Sequence, residues 1–178
     1  MRDTSSVRAL CGLALAGDAE DRHDEADDLW QSALPASPAD AITHLEFANS
    51  RLSLAEEAEE DVERRASLAR LTRKHHVASG KLDASVPETY AAYGSTYLLP
   101  GQDAKKGLKT LRHAHELLPS SQQARLLLAK IHVETGNREL ARKLALSLLA
   151  TIHGDEVDEG IAQILEATGG VPGAEGGG

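Results

Sequence analysis

Apolar side chains recur along this chain at intervals of three and four residues, and no β-branched run alternates with polar positions. That period puts the apolar residues on one face of a helix. The runs are rich in Ala, Leu, Glu and Arg, which carry helix propensity, so the chain is expected to be all-α. Nine helices are predicted, at 5–16, 21–34, 39–51, 54–79, 87–98, 103–117, 121–134, 138–151 and 156–167. They pair in order as hairpins.

Punctuation supports these bounds. Ser85-Val86-Pro87-Glu88 offers a capping Ser, a first-turn proline and an acid three residues on. Ser120-Ser121-Gln122-Gln123 repeats that logic, with the Gln side chain reaching back to the Ser amide. Ser37-Pro38-Ala39-Asp40 marks a third start. Gly136-Asn137 predicts a tight turn between antiparallel helices, Pro100-Gly101 another turn, and Gly80 the end of a long helix. Glu60–Arg64 and Asp61–Arg65, each four apart, are expected to pair along that long helix.

The hairpins repeat. Tyr90, Tyr93, Gly94 and Tyr97 are followed 35 residues later by Arg125, Leu128, Ala129 and His132. Gly107, Leu111 and Ala114 are followed after 34 residues by Ala141, Ala145 and Leu148. A third copy shows in Ala26, Trp30, Ala33 and Pro38, with Cys11, Gly12 and Leu15 as its first helix. Small residues let two helices approach closely, and large ones fill the gap to the next hairpin.

These residues resemble the tetratricopeptide repeat family, whose first helix carries an aromatic, a large–small pair and a second aromatic, and whose second helix carries a small residue, a large one and a closing proline. Tyr90, Tyr93, Gly94 and Tyr97, then Gly107, Leu111, Ala114 and Pro119, fit that order with one extra residue in the turn. The resemblance covers 87–151 well, 5–38 fairly and 39–86 poorly. It implies antiparallel helical hairpins stacked as a right-handed solenoid. The expected units are a hairpin at 1–38, an irregular hairpin with a long second helix at 39–86, repeats at 87–120 and 121–154, a capping helix at 155–168 and a disordered Gly-rich tail at 169–178.

The resemblance also implies a site, the concave groove lined by the first helix of each hairpin. Asn49, Ser95, Leu98, Lys130 and Val133 fall on that inner side. Asn49 and Lys130 resemble the Asn and Lys pair with which some members hold a peptide's terminal carboxylate. Leu45 stands where such clamps carry another base, so a mixed groove for an extended or helical peptide is the expectation.

Charge is sorted along the chain. Residues 1–63 hold 16 acids and 4 bases, residues 64–153 hold 15 bases and 6 acids, and residues 154–178 hold 6 acids. The net charge is −9. Such polarity steers association or lets copies pair. The basic middle includes Arg64, Arg65, Arg70, Arg73, Lys74, Lys105, Lys106 and Lys109, but no aromatics interleave its basic clusters. With an acidic chain overall, that argues against nucleic acid.

Other chemistry finds little support. Among eight histidines, His113 and His115 are two apart, His75 and His76 are adjacent, and His44, His132 and His153 stand isolated. Helical metal sites need spacings of three or four, and no HExxH occurs. No GxSxG or phosphate-loop motif occurs either. Acidic runs at Asp18–Asp28 and Glu56–Glu63 lack the ligand pattern of a calcium loop. Cys11, the sole cysteine, reads as a small buried hydrophobe. No catalytic residue, cofactor or metal is assigned.

No run is long and apolar enough for a membrane span. The apolar stretch Ala9–Ala16 is short for a signal peptide, and Asp3 precedes it. A cytoplasmic location is expected, with export the weaker alternative. The reading is therefore a non-enzymatic scaffold or adaptor whose partner is another protein or peptide. The alternative is an assembly or regulatory domain of a larger enzyme or complex, forming homo-oligomers through its acidic and basic segments.

Overall fold

The computed structural model describes residues 4–58, 60–151 and 155–169, and the side chains of 4, 5 and 155–158 are not described. Its helices are α1 (Thr4–Ala19), α2 (His23–Ala36), α3 (Ala41–Glu57), α4 (Val62–Leu82), α5 (Pro87–Ser95), α6 (Ala104–Leu117), α7 (Gln122–Glu134), α8 (Arg138–Leu149) and α9 (Asp155–Ala167). The described residues contain no strand. α1 packs on α2, α3 on α4, α5 on α6 and α7 on α8, while α9 covers α7 and α8. The tail from residue 170 and His153 lie outside the described residues.

Apolar packing is divided among neighbouring hairpins, as a solenoid requires. Val7, Cys11, Ala14, Ala26, Trp30 and Ala33 close the first hairpin, and Phe47 joins them from α3. Ala55 and Ala69 close the second, with Leu99 against them. Leu111, Leu128 and Ile131 link α6 to α7. Leu126, Ala141, Ala145 and Leu148 meet Ile161, Ile164 and Leu165 of α9.

The third hairpin closes on two glycines. A methyl on Gly94 would meet Leu111 Cγ at 2.5 Å, and one on Gly107 would meet Ile131 Cδ1 at 2.6 Å. Gly101 and Gly136 each have φ +80, so the turns after α5 and α7 use backbone that L side chains rarely adopt.

Several local expectations need correction. α3 runs on to Glu57 and α4 begins at Val62, because Asp61 caps α4 by accepting the Arg64 amide at 2.8 Å. Glu60 and Asp61 thus precede the helix, and the expected four-apart ion pairs do not ride on it. Ser85 is not a cap: its amide and hydroxyl both bond Asp83 Oδ1, and α5 begins after Val86. Ser121 caps α7 through the Ala124 amide at 3.1 Å, so no Gln returns to a Ser amide. The third expected start holds, with Asp40, its last residue, capping α3. α4 passes through Gly80 to Leu82, because Gly80 takes ordinary helical backbone. Gly12 is exposed, and a methyl there would meet nothing within 4 Å. Cys11 is therefore the small residue facing the first core, one position earlier than expected.

Candidate functional site

The sequence-predicted residues line one trough. α3 contributes Asn49, α5 contributes Ser95 with Leu98 just after it, and α7 contributes Lys130 and Val133. Two adjoining clefts make the trough. One, of about 450 Å³, holds Ser95, Leu98, Lys130 and Val133, and the other, of about 380 Å³, holds Asn49 and Ser95. Glu56, Ser95 and Leu127 belong to both and join them.

The helical period explains this alignment. Leu127 and Lys130 are three apart on α7, and Asn49 and Glu56 are seven apart on α3, so each pair shares a face. The walls are mostly apolar: Leu52, Ala91 and Ala92 in one cleft, Leu98, Val133 and Ile164 in the other. α9 closes the far end with Gln163, Ile164 and Ala167. It crosses α7 at Gly160, where a methyl would lie 3.5 Å from Lys130 Cε. The tighter neighbour of such a methyl is Leu126 Cδ2 at 3.3 Å, so the bare Gly160 backbone eases the approach of α9 to α7 at Leu126, beside the stem of Lys130.

Charge in the trough is mixed. Glu56 is exposed, yet the protein crowding its carboxyl raises the pKa above the ordinary value, with Lys130 opposing that rise and Glu57 adding to it. Glu88 and Glu134 also line the clefts. Asn49 is exposed and Lys130 is half-buried, so an amide and an ammonium are both available to a ligand.

Sequence reasoning missed Glu56, Leu127, Gln163 and Ile164. Glu56 is hidden when α3 is ended too early. The three-residue step back from Lys130 would have found Leu127. The α9 residues carry no local signal, since a terminal helix is placed only by what it packs against.

A second polar centre holds the first hairpin to the second. Arg51, buried on α3, donates from Nη2 to Asp18 Oδ2 at 2.8 Å and from Nη1 to Asp27. Asp18 also accepts from Ser50 Oγ and from Trp30 Nε1 at 3.2 Å, and lies 3.3 Å from His23 Nδ1. Burial works to raise the Asp18 pKa, but these hydrogen bonds and the Arg51 charge more than reverse it, leaving it below the usual value. None of these residues lines the trough, and the network reads as a structural joint.

The histidines are less scattered than their spacing suggests. His44 is not isolated: its Nδ1 lies 2.9 Å from His75 Nδ1, while its Nε2 lies 3.2 Å from the Pro38 carbonyl. His76 and His132 are buried, and neither has a hydrogen-bond partner on its ring nitrogens among the described residues. Burial lowers the pKa of His75, His76 and His132, the first two to about 4. Among the described residues no three His, Cys, Asp or Glu side chains gather as metal ligands. Cys11 is buried against Thr43, and its thiol pKa is raised by that burial. Among the described residues no helix is long and apolar enough to cross a membrane.

Hairpins stacked in sequence order, closed by small residues and flanked by a trough along their first helices, define a tetratricopeptide-like solenoid. A thermophilic tetratricopeptide-repeat protein of Thermus thermophilus has this fold, with a TM-score of 0.74 over 90% of this chain and 81% of that one, at 18% sequence identity. No protein-family model matches the chain, and no curated protein does.

Proposed function

We propose that this chain is a non-enzymatic interaction module that holds a peptide or a partner helix in the trough. The observation that carries the reading is the continuity of the trough from Asn49 through Ser95 to Lys130 and Val133. Its apolar walls would take side chains, while Asn49 and Lys130 would fix polarity and register. Helices α3, α5, α6, α7 and α9 supply the lining, so the surface exists only in the assembled array.

An anchor that makes a buried charged hydrogen bond costs about 1–3 kcal/mol when removed, and one at the rim costs almost nothing. The test is capture from lysate by wild-type protein beside Asn49→Ala/Lys130→Glu, read by mass spectrometry, with circular dichroism confirming equal helicity. A partner held by wild type and lost by the double variant supports the trough. Equal capture by both proteins would place the binding surface elsewhere.

A further inference from the structure

The face opposite in charge to the N-terminal half is built around α4. Arg70, Lys74 and Lys81 are exposed on it, and Arg73 is half-buried beside them. With Val77, Ala78, Tyr93 and Tyr97 they line a shallow cleft of about 470 Å³. The sequence shows no aromatic between these bases, but the α4–α5 packing brings two tyrosines against them. Tyr93 Oη and Tyr97 Oη lie 3.2 Å apart, and the Arg73 guanidinium sits 4.8 Å from the centre of the Tyr97 ring.

Arg73 is held by neutral acceptors, Thr96 Oγ1 at 3.3 Å and Gln102 Oε1 at 3.1 Å. Among the described residues, no carboxylate lies within ion-pair distance of Arg70, Arg73, Lys74 or Lys81. Four cations therefore share one concave face without internal compensation. Their mutual repulsion is relieved when anions are brought to them.

The matching anions are on the same chain. On α2, Asp27 is engaged by Arg51, and Glu25 by Arg22. Asp24 and Asp28 are exposed and, among the described residues, have no cation within ion-pair distance. They are four apart, as are Arg70 and Lys74, so both pairs span about 6 Å of helix axis and each pair shares one helix face.

We infer that copies of this chain associate by laying the acidic face of α2, with Asp24 and Asp28, on the basic face of α4 and α5, with Arg70 and Lys74. A nucleic acid fits this surface less well, because the chain's net charge of −9 repels an extended polyanion while a short acidic helix meets only the local field. The contact is electrostatic and partly open to solvent, so salt weakens it.

The test is sedimentation velocity on the full chain across concentration, at about 50 mM and about 500 mM NaCl, where the screening length falls severalfold. Wild type is expected to associate at the lower salt and to dissociate at the higher. Arg70→Glu/Lys74→Glu and Asp24→Lys/Asp28→Lys should each lose about tenfold or more in association constant. An equimolar mixture of the two variants should recover association, because each keeps one native face that complements the other's. Recovery also shows that both variants are folded. Wild type that stays monomeric at the lower salt overturns the proposal. So does a mixture no more associated than its separate components, which would include the case of a foreign acidic partner for this face.

Discussion

Gly107 of α6 crosses Gly94 of α5 so closely that a methyl on Gly107 would lie 2.9 Å from the Gly94 carbonyl oxygen. The same methyl would meet Tyr97 Cβ at 2.8 Å, and neither a carbonyl nor a Cβ can swing aside. Overpacking of this kind costs about 1–3 kcal/mol, against roughly 1 kcal/mol gained in helix propensity. Gly107→Ala is expected to lower the urea midpoint. Gly12→Ala, placed in open space on α1, is expected to raise stability by about 0.5–1 kcal/mol. Equal shifts in the two variants would refute the close-approach account.

Asp18 and Arg51 form a joint that cannot be halved. Asp18→Ala would leave the buried guanidinium with only the half-exposed Asp27 as its carboxylate partner and would strip the acceptor from Ser50 and Trp30, so it should cost about 1–3 kcal/mol. Replacing both residues by apolar side chains of similar size should cost much less than the two single changes together. Chemical denaturation of the three variants supplies the double-mutant cycle.

Acid should loosen the same joint. In the fold Asp18 sits below its ordinary value of 3.8, as does Asp40, where burial is outweighed by bonds from Thr43 and the Arg8 charge. A depressed acid contributes stability above its unfolded pKa and loses it as pH falls through the folded one. Thermal melts should fall below pH 3.8, and Asp18→Asn should flatten that part of the profile.

The buried histidines act in a different window. His76 is held to about 4 in the fold, chiefly by burial and then by His75, against an ordinary 6.5. A depressed base is neutral when folded and takes up a proton on unfolding, so stability is full above 6.5 and falls as pH drops from 6.5 towards 4. His76 alone should account for on the order of 2 kcal/mol across that span. His76→Phe should remove its share, as read by urea denaturation at about pH 7 and about pH 4.5, on either side of most of that titration. An unchanged pH slope would show that the ring is not the titrating group.

In the trough, Glu56 offsets part of the Lys130 charge. Glu56→Gln should tighten binding of a peptide ending in a carboxylate severalfold while leaving its amidated form nearly unaffected. Fluorescence anisotropy with the paired peptides, taken from the captured partner, would show it. The same change in both peptides would mean that Lys130 does not meet the carboxylate.

Much of the trough is legible in the sequence because it follows helical period. Asn49, Ser95, Leu98, Lys130 and Val133 are placed by their steps along predicted first helices, and the structure sets all five along one surface. Glu56 escapes because the expected end of α3 falls at 51. The break there depends on Asp61 capping the next helix, and acids at 56–63 look alike before one of them is seen to bond the Arg64 amide. Ser85 misleads for a similar reason, since its hydroxyl satisfies Asp83 two residues back instead of the helix ahead.

An all-α fold, whose nine helices among the described residues form four tetratricopeptide-like hairpins and a capping helix, follows from the amino-acid order, because periodicity, capping and small-residue spacing act within about 35 residues. Which polar groups meet does not follow from it. Asp18 finds Arg51, His44 finds His75, and Tyr97 comes under Arg73, each across a gap of 24 to 33 residues with no periodic trace. Such pairs depend on how one helix rotates against its neighbour, within a hairpin or between hairpins, and that rotation is set by apolar packing at residues other than the ones it brings together.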